Sequence, residues 1–153
     1  MPGQIVFVCG HSNWGKSWTL RPLTDGTHQG RWARDVGDAR FWVRKMSNDD
    51  KPDEYFEWMG SQQPTAMPRL IAALCPKFDD PRLDRLLRAL RDRGYQLHFW
   101  VMKRQYDGPG VIAPGEISRL QAHGHVEVFS RRADAEHRAR SVQAFVRRRV
   151  LTD

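Results

Sequence analysis

The sequence predicts an α/β fold, a three-layer sandwich around a mainly parallel five-stranded sheet, built as one domain over residues 1–153. Two observations carry that expectation. Compact apolar runs without polar alternation, the mark of strands covered on both faces, recur along the chain. Between them lie segments with helical periodicity, so strand and helix alternate as parallel pairing requires. With 40% apolar residues in 153, the chain can fill a single core.

Residues 4–9, Gln-Ile-Val-Phe-Val-Cys, form the first such run and end at a glycine. Lys16 to about Leu23 can start a helix, kept short by Pro22 and an Asp25-Gly26 turn. Residues 24–39 are polar and glycine-rich, and a strand follows at Arg40–Met46. The stretch 47–68 is the least regular, with Ser47-Asn48-Asp49-Asp50 leading into a short helix around Asp53–Met59 and a substrate-facing role open to it. Leu70–Cys75 is a second short strand, stopped by Pro76.

The clearest helix spans 81–93. Asp80 caps it, Pro81 suits its first position, Leu83, Leu86, Leu87 and Leu90 make one stripe, and Gly94 closes it. Its other face carries Arg82, Arg85, Arg88 and Arg91. Tyr95–Met102 is a further strand, followed by a broken loop at Asp107-Gly108-Pro109-Gly110 and a short helix at about 115–122. His125–Phe129 is the last strand and 133–150 the last helix, with Ala135, Ala139, Val142 and Val146 inward.

Between the first strand and first helix stands Gly10-His11-Ser12-Asn13-Trp14-Gly15-Lys16-Ser17, which fits G-x-x-x-x-G-K-[ST] at every fixed position. Glycines let successive backbone N–H groups turn inward around a phosphate, and the helix N-terminus adds a positive dipole end. Lys16 can reach the β- and γ-phosphates and the Ser17 hydroxyl can hold Mg²⁺. Over about residues 4–23 the chain resembles the P-loop nucleoside-triphosphate-binding superfamily, kinase-like in layout. The resemblance implies a P-loop type of sheet and a nucleoside triphosphate with Mg²⁺, gripped by Gly10, His11, Ser12, Asn13, Trp14, Gly15, Lys16, Ser17 and Trp18. Trp14 is read either as a contact to the ligand or as exposed packing, and Trp18 as entering the core.

The family also places a metal-shell acid at the end of a second buried strand, and here the chain departs from it. Cys75 and Pro76 occupy that end, so the first acids available to the metal are Asp79 and Asp80, with Asp80 also claimed as a helix cap. Asp49 and Asp50 resemble in position the acid that orients the acceptor hydroxyl in P-loop kinases; a solvated turn is the other reading. Lys103 and Arg104, after the Tyr95–Met102 strand, lie where they can act as a charge clamp on a transferred phosphoryl group, or serve as ordinary surface cations. The guanine-reading Asn-Lys-x-Asp pattern is missing from Val101–Asp107, which favours ATP over GTP.

Charge is the remaining clue: 25 Lys+Arg against 18 Asp+Glu, with a pI near 10.0. An anionic partner, nucleic acid or an acidic protein face, would be drawn to the arginines, including Arg131-Arg132 and Arg147-Arg148-Arg149. Genomic base composition is an equally good source of arginine. His123 and His125 lack a third metal ligand nearby. Cys9 and Cys75 are expected as buried free thiols. No apolar run is long enough for a membrane span, no signal peptide is visible, and cytoplasmic residence is expected. The expected activity is ATP-dependent phosphoryl transfer to a hydroxyl. The alternative is an ATPase or nucleotide-dependent switch coupled to a protein or nucleic-acid partner, with an oligomer open to it.

Overall fold

A computed structural model describes residues 2–24, 31–36, 39–105 and 108–151. The Asp25-Gly26 turn and residues Tyr106 and Asp107 lie outside the described residues. The chain forms β1 (Gly3–Cys9), α1 (Lys16–Leu20) with a 3₁₀ turn at Arg21–Thr24, β2 (Arg31–Val36), β3 (Ala39–Arg44), α2 (Pro52–Gly60), β4 (Arg69–Leu74) and α3 (Pro81–Asp92). It continues with β5 (Tyr95–Met102), α4 (Pro114–Gln121), β6 (His125–Phe129) and α5 (Ala135–Phe145), which runs on into a π-type turn at Val146–Val150.

The sheet has six strands in the order β2-β3-β4-β1-β5-β6, not five. Strands β3, β4, β1, β5 and β6 are parallel, as expected, and β2 is added antiparallel to β3 at the edge. The polar composition of residues 24–39 concealed β2. An edge strand that pairs with its sequence neighbour needs no continuous apolar run, because only one partner strand must be satisfied.

Central β1 pairs with β4 on one side and β5 on the other, and Ile5 to Cys9 are fully buried. Phe7 and Phe99 stack across that pairing at 5.3 Å. Right-handed crossovers set the layers: the connection leaving β1 crosses to β3 in one direction, while those leaving β3, β4 and β5 run in the other. Accordingly α1 packs with α5 on one face and α2 with α3 on the other. The connections from β1 and β4 diverge, so a crevice opens at the carboxyl ends of these two strands. In open α/β sheets that switch point is where ligands bind.

Local signals hold where they were clear. Asp80 accepts from the Arg82 backbone N–H at 3.0 Å and caps α3, its leucine stripe is buried, and Gly94 closes it at φ +100°. The π-type turn keeps Val146 and Val150 buried while Arg147, Arg148 and Arg149 face solvent. No helix among the described residues is long and apolar enough to cross a membrane.

Replacing Asp80 with alanine removes the cap, so Asp80→Ala should lower unfolding stability by about 1 kcal/mol, read as a shifted urea midpoint with unchanged slope. A pH effect follows from His98, whose Nε2 lies 2.6 Å from Gln4 Oε1. Burial, with nearby His125 second, pushes its imidazole down to about 4. Between the ordinary value of 6.5 and about 4 the unfolded chain binds a proton that the folded chain refuses. Stability should therefore fall as pH drops through that window, and His98→Gln should flatten this part of the profile.

Candidate functional site

The loop from Gly10 to Lys16 leaves β1 at the switch point. Asn13 (φ +65°) and Gly15 (φ +85°) take left-handed backbone on either side of Trp14, which turns the loop back on itself before α1 begins. Backbone of this kind, alternating with right-handed residues, forms an anion-binding concavity. Lys16 is 6% exposed, and its Nζ donates to the His11 carbonyl across the loop at 2.9 Å.

The acid beside this lysine is Asp49. Its Oδ1 lies 3.6 Å from Lys16 Nζ, and its Oδ2 accepts from the Ser12 hydroxyl at 2.6 Å. Burial pushes the Asp49 carboxyl up, but hydrogen bonds from Ser12 and Ser47 and the Lys16 charge outweigh it and hold it below the ordinary carboxylate value. Oδ1 is buried and accepts no hydrogen bond.

Asp49 sits there because its neighbour Asn48 is clamped to the end of β4. The Asn48 side chain accepts from the Cys75 N–H at 2.7 Å and donates to the Cys75 carbonyl at 2.9 Å. Asp50 closes the same turn by accepting from the Ser47 N–H at 3.0 Å. Asp49, half-buried, and Asp50, exposed, therefore belong to one ordered turn beside the 10–16 loop. They share a cavity of about 320 Å³ with Asn13, Gly15, Lys16, Ser17, Trp18 and Lys45.

The other acids fall elsewhere. The Asp80 carboxylate caps α3 and pairs with Arg82, which also reaches Asp53, so it is committed to holding a helix. Asp79 lines a second, larger cavity and not the one around Lys16 and Ser17. Lys103 and Arg104 follow β5 as expected, but they line neither cavity, and the backbone there bridges from Arg104 to Val111. Among the described residues no cluster of three or more His, Cys, Asp or Glu side chains is placed to hold a metal on its own. His123 faces Asp84 at 2.8 Å while His125 stacks on Phe145, so the two rings serve separate elements.

The two tryptophans exchange their expected places. Trp14 is 6% exposed, with its ring edge on His11 at 5.3 Å, and it anchors the middle of the loop in the core. Trp18 is 59% exposed, with the Arg21 guanidinium 4.6 Å from its ring centre. The cause is helix phase: Lys16, Thr19 and Leu20 take the inner side of α1, which turns Trp18 outward.

Three contributors were missed in the sequence. Arg138 on α5, 5% exposed, donates to Thr19 Oγ1 at 2.7 Å, to the Ala133 carbonyl at 2.9 Å and to the Gly15 carbonyl at 3.4 Å, bracing the loop from behind. Asn48 supplies the clamp above. Glu116 on α4 accepts from the Ala113 N–H at 3.1 Å and reaches His11 at 2.8 Å. Its place three residues after Ala113, behind Pro114, is the one available signal, since an acid in the first turn of a helix is a capping pattern.

A side chain at Gly15 would meet both obstacles at once, the left-handed backbone and Arg138 Nη2 at 2.8 Å. Gly15→Ala should therefore cost about 1–2 kcal/mol from the backbone alone. Thermal melting against wild type measures it, and Gly60→Ala, where a Cβ meets nothing, serves as the control.

No protein-family model matches the chain, and no curated protein matches it. Among solved structures it is similar to a solution NMR structure of a de novo designed protein described as a P-loop NTPase fold, with 13% sequence identity, a TM-score of 0.49, and coverage of 94% of this chain and 90% of that one.

Proposed function

We propose that the protein binds ATP with Mg²⁺ at the 10–17 loop and transfers the γ-phosphoryl group to a hydroxyl acceptor. The observation that carries this reading is the pairing of Lys16 with Asp49 inside a loop of left-handed turns. A cation folded across the loop and a carboxylate oxygen without a hydrogen bond are the two groups that a triphosphate and a divalent ion would engage.

The donor set suits both. Hard cations take oxygen ligands, and the Asp49 carboxylate and the Ser17 hydroxyl line one cavity, with Asp50 at its wall. Asp49 replaces Asp79 and Asp80 in this role. Its depressed carboxyl also makes it a weak proton acceptor, which moves it from base to metal holder. A divalent ion held by Asp49 and Ser17 would offset charge that develops during transfer. Lys16 would release the His11 carbonyl to bind phosphate oxygens, and backbone N–H groups of the loop would donate to the remainder. On the outer side, the exposed Trp18 ring borders a hollow with Asn13, Trp14, Asp134, Ala135 and Arg138, a flat apolar surface suited to a nucleobase.

A second reading, an ATPase or switch coupled to an anionic partner, is favoured by one observation. Cys75 and not an acid follows β4.

Isothermal titration and a phosphate-release assay test the proposal together. Lys16→Ala should abolish turnover and weaken ATP binding at least tenfold. Asp49→Asn should retain ATP binding while removing most of its Mg²⁺ dependence, and Trp18→Ala should weaken ATP binding about tenfold, the value of one stacked base. Wild type that binds no nucleotide triphosphate in the presence of Mg²⁺ overturns the reading. Stimulation of turnover by DNA or RNA that weakens steeply with salt would select the second reading.

A further inference from the structure

Beside the phosphate loop, on the side away from Trp18, lies a cavity of about 1000 Å³. It opens at the switch point, between the loop, the segment after β4 and the N-terminal end of α4. His11, Cys75 and Glu116 meet in its wall. Glu116 Oε1 lies 2.8 Å from His11 Nε2, and Cys75 Sγ lies 3.6 Å from His11 Nδ1. A carboxylate can only accept, so the Glu116 bond places a proton on Nε2, and in the neutral ring the lone pair is then on Nδ1.

The thiol agrees with that assignment. Burial, opposed by Lys16, pushes Cys75 up to about 11, so it stays protonated and donates toward Nδ1. His11 thus has one ring nitrogen on a carboxylate and the other turned toward Cys75, the arrangement of an oriented general base. Its own carbonyl holds Lys16, so the ring is built into the loop that would hold the γ-phosphate.

We propose that His11 is the general base of the reaction, with Glu116 and Cys75 as positioning residues, and that the acceptor hydroxyl enters from this cavity. The inference rests on the phosphoryl-transfer reading above. In the step, the hydroxyl proton passes to His11 Nδ1 as the oxygen bonds to the γ-phosphorus, the bond from that phosphorus to the β–γ bridging oxygen breaks, and ADP leaves. The acceptor displaces the weak thiol contact to reach Nδ1. The rest of the wall describes its class: Pro52 and Phe78 offer apolar contact, and Lys77 and Arg119 offer positive charge, with Arg119 4.7 Å from the Phe78 ring centre. Asp79 and Asp80 stand in the same wall, so the lining suits a polar organic alcohol that meets both signs of charge.

Water serves as the probe acceptor, with ATP hydrolysis followed under single-turnover conditions in wild type, His11→Gln, Glu116→Gln and Cys9→Ser. His11→Gln should bind ATP as wild type does and lose about 100-fold or more in rate, together with the acid limb of its pH profile. Glu116→Gln should lose less and shift that limb. The charged and titratable groups facing His11 are Glu116, Cys75 and Lys16, with Asp49, Lys77, Asp79, Asp80 and Arg119 in the same wall, so the limb is assigned by its loss in His11→Gln alone. Cys9, buried against the Phe7 carbonyl, should change nothing when replaced by serine.

A readout without nucleotide is ¹⁵N NMR of the imidazoles, which should show His11 protonated on Nε2 and redistributed between tautomers in Glu116→Gln. Loss of ATP binding in wild type would defeat the phosphoryl-transfer reading itself. Retained binding with a His11→Gln rate equal to wild type, a rate at the uncatalysed level included, would overturn only the assignment of the base. So would an Nδ1–H tautomer.

Discussion

Everything near the loop depends on β1 being held from both sides. Its backbone is bonded to β4 and β5, its side chains are buried on both faces, and its last residue, Cys9, is followed at once by the turn. A strand so fixed delivers Gly10 to one place, and the divergence of the connections from β1 and β4 keeps that place open. Parallel pairing has a cost in this regard: all five parallel strands end on one side, leaving backbone groups that helices and turns must satisfy. The chain meets it with Asn48, whose amide completes the Cys75 backbone and so carries Asp49 to Lys16.

How far the fold was legible depends on the range of the signal. The elements were readable because each is a local pattern: the β-rich runs at 4–9, 70–75, 95–102 and 125–129, and the capped leucine stripe of α3. The edge strand β2 was not readable, because its pairing with β3 compensates for a polar composition. The loop was readable because its spacing serves a single geometry. Asp49 could be read there as an acid orienting an acceptor, but its place beside Lys16 was not readable, since it arises through a clamp between residues 48 and 75, a contact 27 positions apart that nothing local encodes. Helix phase could have placed Trp18: once Thr19 and Leu20 are assigned inward, the residue before them must turn out.

Charge follows the same division. The arginine face of α3 reads in sequence as a basic stripe, yet Arg82 is paired with Asp80 and Asp53, and Arg88 with Asp84. Arg148 likewise makes a two-pronged contact with Glu127. Composition alone overstates the positive surface offered to a partner. Arg138 adds to that overstatement, since it is buried and ties α5 to the loop.

The burial of Trp14 has a consequence for the kinetics of capture. A glycine-bearing loop is ordinarily loose until its ligand arrives, and ordering it then reduces affinity and slows association. Here an indole halfway along the loop is seated in the core, with Arg138 behind Gly15. The loss of loop entropy therefore falls at folding, and a ligand of the kind proposed would meet a cradle already shaped. The same anchorage couples the loop to global stability, so damage to the packing around Trp14 would alter the shape of the loop before the fold itself gave way.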